Sequence, residues 1–181
     1  MATYTVADES IQKKVRGLIH LYHRDLHEAD ATYSVIMAHA KRDKDSGEPV
    51  GPALLSATKW PALAKVRVVS LRDRVAGLAD FQILLDGDRW EVLSPQEQAA
   101  VLDHECEHVE VMKSPETGRV KTDDCGRPRM VLRAHDWECS GFDAILERHK
   151  EHAVEFQAAK ALGERESVQR VFGFMMETAG R

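Results

Sequence analysis

His104, Glu105 and His108 spell H-E-x-x-H within residues 101–112. On a helix, residues four apart lie on one face, one above the other. Two imidazoles so placed can hold one metal ion from the same side. Glu105 falls in a neighbouring sector, within reach of a metal-bound water. This is zinc-hydrolase chemistry: the histidines ligate Zn²⁺ and the carboxylate serves as general base.

The residues before the motif supply the helix that must carry it. Ser94 is a good N-cap, Pro95 suits the first helical position and Glu97 completes a capping box. At about 100° per residue, Asp103, Glu107 and Glu110 share an outward sector. Val101, Leu102, Val109 and Met112 fill the opposite arc, with the histidines at the border. Glu105 lies among the apolar positions. A carboxylate aimed at a core is expensive unless something there needs it. A metal-bound water is such a partner, and apolar surroundings would raise the carboxylate's pKa toward that of a useful base. Cys106 sits on a different sector from the histidines and reads as a small packing residue.

A catalytic zinc takes three protein ligands and keeps one position open. His135 is the expected third, at a strand-to-helix junction that can fix a side chain. Asp136 beside it could orient a ligand, and Glu138 is the alternative third ligand. The competing reading is that His135 and Asp136 only cap the next helix. His23 and His27 are also four apart, but Arg24 stands where the motif needs glutamate. They read as exposed or interfacial histidines.

The whole chain has 181 residues, 43% apolar and 30% charged, with a formal charge of −5. That suits one soluble domain with a helical appendage. It gives no general attraction to nucleic acid or anionic membrane. No apolar run is long enough to cross a bilayer, and the polar N-terminus does not look like a signal peptide. Cys106, Cys125 and Cys139 are odd in number and lack C-x-x-C spacing, as expected of free thiols in a cytoplasmic setting.

Taken in order, residues 8–29 read as a helix with Ile11, Val15, Leu18, Ile19, Tyr22 and Leu26 at helical spacing. Residues 31–40, 65–71 and 78–86 read as strands, and 41–52 as a charged loop. Gly87-Asp88 reads as a turn and Trp60 as a core-packing candidate. Residues 129–134 make a short strand ending in His135-Asp136. A long helix is expected over about 136–162, and a last one over 164–178 bearing Val168, Val171, Phe172, Met175 and Met176.

The segment from Trp90 to Leu93, then Ser94, Gln96 or Gln98, His104-Glu105-x-x-His108 and His135-Asp136 resembles the phage metallopeptidases, a group related to SprT-like zinc peptidases. The resemblance covers about residues 8–150. Cys106 stands where that pattern has an apolar residue, a mild change because buried cysteine behaves as a small hydrophobe. The resemblance implies an α+β fold, a small, mostly antiparallel sheet with the metal helix packed on it. It implies a zincin-like domain over 1–162, a C-terminal helical extension over 163–181, and a protein or peptide substrate. The activity expected is zinc-dependent peptide hydrolysis with Glu105 as base, and Tyr22, Tyr33 and Arg133 as candidates for oxyanion stabilisation. The alternative is a non-catalytic zinc-containing interaction protein, acting on DNA-associated proteins as SprT-like relatives do. Against autonomous DNA binding stand the acidic balance and the lack of paired C-x-x-C motifs.

Overall fold

The computed structural model describes residues 2–56, 59, 61–135 and 142–163. Trp60, Asp136, Glu138, Cys139 and the helix expected over 164–178 lie outside the described residues. Two compact units are distinguished, Met1–Ala134 and His135–Arg181.

The first unit is α+β and is built on a four-stranded mixed sheet. Its strands are β1 (Thr3–Val6), β2 (Tyr33–His39), β3 (Ala64–Val68) and β4 (Phe81–Asp86), in the order β1-β2-β4-β3. β1 pairs antiparallel with β2, and β3 antiparallel with β4. β2 and β4 are parallel, Tyr33 opposite Phe81 and Ala38 opposite Asp86. β1 comes from the N-terminal stretch that read only as polar. Its four side chains are all exposed, and the alternation Thr3-Tyr4-Thr5-Val6 is too short to stand out as a strand.

One face of the sheet is dry. Phe81, Ile83 and Leu85 point the same way from β4, all fully buried, and join Val35 of β2. Against them pack α1 (Glu9–Tyr22), through Ile11, Val15, Leu18 and Ile19, and α5 (Pro95–Glu107), through Val101, Leu102 and Cys106. Each such fully buried aliphatic side chain contributes about 1.5–3 kcal/mol.

The helix expected over 8–29 is two helices. His23, with φ −110° and ψ 66°, ends α1 and begins α2 (Arg24–Glu28). Residues 69–80 hold the short helix α3 (Leu71–Val75), N-capped by Ser70. Gly87-Asp88 opens α4 (Gly87–Trp90) rather than a simple turn, because the Asp86 side chain accepts the Arg89 N–H as an N-cap. Gly87 also leaves room for the His39 imidazole, which an added Cβ would overlap.

After α5 the chain forms a two-stranded antiparallel ribbon, β5 (Val109–Val111) and β6 (Met130–Leu132). Between them run two tight turns closed by the bridges Lys113–Val120 and Thr122–Pro128. Charge docks the second turn. Arg74 pairs with Asp123 at 2.9 Å and Arg127 with Asp80 at 2.8 Å. Arg127 also donates to Leu78 O and Thr32 Oγ1, and Arg74 to Pro128 O. These charges are mostly withdrawn from water, so each depends on its partners.

In the second unit, the long helix expected over about 136–162 is interrupted. α6 (Asp143–His149) gives way to a 3₁₀ turn at Lys150–His152, followed by α7 (Val154–Gly163). Lys150 has φ +48°, which a continuous helix does not permit. Phe142, Ile145 and Ala153 form a small core there.

Burial pushes the Asp123 carboxyl up, but N–H donors from Arg127 and Cys125 and the charges of Arg74 and Arg127 outweigh it and leave the pKa lowered. A lowered folded-state pKa stabilises the fold above the unfolded value and loses that contribution as pH falls through the folded one. Asp123→Asn should therefore be less stable than wild type at pH 7, with the gap closing below about pH 4. Urea denaturation of both proteins across pH 3–7 checks this.

Candidate metal centre

α5 begins as its sequence dictates. The Ser94 side chain accepts the Glu97 N–H, the Glu97 carboxylate accepts the Ser94 N–H at 2.8 Å, and Pro95 stands in the first turn. Its end differs from the expectation. The helix stops at Glu107, His108 is the C-cap, and Val109–Val111 is strand. Val109 and Val111 are buried and Glu110 exposed, the period-two pattern of a strand. β-branched residues at alternate positions favour that ladder over another helical turn.

The sector expected to face outward is not uniformly exposed either. Asp103, expected to face outward, is fully buried. Its Oδ1 lies 2.6 Å from Nε2 of His23, itself buried rather than exposed. The His23–Asp103 bond spans 80 residues of sequence, and no local pattern encodes such a contact. Glu105 is buried at 6% exposure, as its place on the apolar arc requires. Cys106 is fully buried in the core cluster.

One ring nitrogen each of His104, His108 and His135 lies within 4.8 Å of the others. The rings of His104 and His108 are 5.0 Å apart, edge to face. His108 Nδ1 is 2.9 Å from the carbonyl oxygen of Arg133. A carbonyl only accepts, so Nδ1 carries the hydrogen, and in the neutral ring Nε2 keeps the lone pair that a metal requires. A backbone carbonyl on the other nitrogen of a ligating histidine is the usual means of orienting it. Three imidazole nitrogens so grouped form a donor set suited to a borderline cation such as Zn²⁺. His135 follows Arg133 by two residues, so the segment leaving β6 carries the third nitrogen. Its ring lies 5.1 Å from that of Phe142.

The three candidates for oxyanion stabilisation are placed differently. Tyr33 donates its hydroxyl to Gln12 O at 2.9 Å. Burial raises its pKa. Arg133 donates to Glu107 Oε1 at 2.7 Å. Tyr22 closes α1 and is half exposed. His20 and His27 approach each other at 3.3 Å on an exposed surface, and His23 faces Asp103 instead of pairing with His27. Among the described residues, the group of three histidines is the cluster of three or more side chains that can hold a metal ion.

Burial raises the Cys106 thiol well above its ordinary pKa, and the charges of Asp103, Glu105 and Glu107 add to the effect. A neutral, buried thiol is a poor nucleophile. In a Cys139→Ser background, the exposed Cys125 should react with a thiol reagent at pH 8, while Cys106 reacts only after denaturation. Mass spectrometry of the labelled peptides checks this.

The family model described as "Putative phage metallopeptidase" matches residues 3–171. The chain belongs to that family, and the match extends at both ends beyond the 8–150 that the motifs alone suggested. No curated protein and no solved structure matches the chain. No helix among the described residues is long and apolar enough to cross a membrane.

Proposed function

We propose that this member of the phage metallopeptidase family is a zinc-dependent peptidase that hydrolyses peptide bonds in a protein or peptide substrate. His104, His108 and His135 hold the metal, and Glu105 is the general base. The observation that carries the reading is the three-imidazole cluster, with a buried glutamate next in sequence to its first member.

Three protein nitrogens suit a catalytic zinc rather than a closed structural site, which takes four protein ligands. When bound, zinc would polarise the scissile carbonyl and acidify the attacking water. The chain's own groups do the rest. Glu105 takes a proton from the attacking water and returns it to the leaving amine. The Arg133 carbonyl keeps His108 in the Nδ1–H tautomer throughout. The capped start of α5 and its buried side chains hold His104 and Glu105 at a fixed rotation about the helix axis.

Metal content by mass spectrometry on tag-free protein tests the site first. We expect about one zinc per chain, lost in His135→Ala and kept in Glu138→Ala. Retention in His135→Ala with loss in Glu138→Ala would transfer the third ligand to Glu138. Glu105→Gln should keep its zinc and lose roughly 10²-fold or more of the rate on an unfolded protein substrate such as casein. Wild-type turnover in that variant would sink the proposed mechanism.

A further inference from the structure

We infer that Glu107 is a positioning residue for the metal centre, acting on His108 through Arg133. The inference rests on the reading of His104, His108 and His135 as metal ligands.

Glu107 is the last residue of α5. A carboxylate there faces the negative end of the helix dipole, an unfavourable place for it. Helix stability therefore gives no reason for an acid at this position, whereas the contacts of its two oxygens do. Oε1 accepts from Arg133 Nη1 at 2.7 Å. Oε2 lies 3.7 Å from His23 Nδ1. The Glu107 side chain is 14% exposed and that of Arg133 33%, so water screens the pair only partly.

Arg133 in turn grips His108 twice through its backbone. Its N–H donates to His108 O at 2.8 Å, and its carbonyl accepts from His108 Nδ1 at 2.9 Å. Holding the Arg133 side chain therefore limits movement of the carbonyl that orients a ligand. At the other end of the network, His23 Nε2 lies 2.6 Å from the buried Asp103, the residue before His104. Glu107 thus bonds to Arg133 on the His108 side, while across a 3.7 Å gap it faces the His23 ring that bonds to Asp103 beside His104. Carboxylates and carbonyls that orient ligating histidines change metal affinity when they are lost.

The test measures zinc affinity by chelator competition, the visible spectrum of the Co²⁺-substituted protein, and the melting temperature without metal. The proteins are wild type, Glu107→Gln, Arg133→Ala, Arg133→Lys and the double variant Glu107→Gln/Arg133→Ala. We expect Glu107→Gln and Arg133→Ala each to weaken zinc binding by about 10–100-fold and to alter the Co²⁺ spectrum. The double variant should be no weaker than either single one, because both remove the same link. Arg133→Lys, which keeps one donor but not the planar fork, should fall between wild type and Arg133→Ala. It carries the test if the other variants fail to fold. A lower melting temperature with unchanged zinc affinity and Co²⁺ spectrum would make the pair purely structural and overturn the inference. Wild-type protein that binds no zinc would overturn the metal-centre reading itself, and this inference with it.

Discussion

The two hydrogen bonds between His108 and Arg133 are the constraint on which the candidate metal centre depends. α5 ends at His108, and the chain passes without a linker into β5. β5 pairs with β6 in one register, Val109 opposite Leu132 and Val111 opposite Met130. That register sets Arg133 against His108, where its backbone meets both the main chain and the ring of the histidine. A slip of one residue would turn every side chain of the ribbon to its other face. It would also remove the carbonyl from Nδ1. A ladder of three residue pairs thus decides both the tautomer of one histidine and the start of the segment that carries His135.

So short a ladder needs support from outside itself. Part of the support is apolar, since Val109, Val111 and Met130 are buried in the same cluster as the sheet and α1. Part is ionic. Arg74, Asp80, Asp123 and Arg127 tie the turn before β6 to α3 and to the start of β4. Removing one member of such a buried set leaves its partner uncompensated, which is how the network resists rearrangement. The helical side of the site has its own fixed start in the Ser94–Glu97 capping box. Position thus comes from two directions: a capped helix delivers His104 and Glu105, and a docked ribbon delivers the partner of His108.

The residues that perform this placement are polar and buried, and they bond across long stretches of sequence. His23 reaches Asp103 and Arg74 reaches Asp123. By composition such residues look like solvated surface. Their burial follows from the packing of α1 on α5 and of the turn on α3, and the bonds they make offset the loss of water.

The sequence by itself determined the H-E-x-x-H constellation, the capped start of α5, the inward aim of Glu105 and the packing role of Cys106. Each is a local matter of residue type and helical or strand period, so a short window contains it. His135 also stood out as a chemically apt residue at the end of a strand. Tertiary structure decided the rest. It stopped α5 at His108, broke the first helix at His23, interrupted the helix after His135 at Lys150, and added the exposed strand β1. It also buried Asp103 on a helix face that looked outward, and set His135 beside the other two histidines. The physical reason is range. A capping box spans three residues, whereas the bonds His23–Asp103 and His108–Arg133 span 80 and 25. Periodicity carries no information about partners so distant, and only the folded chain brings them together.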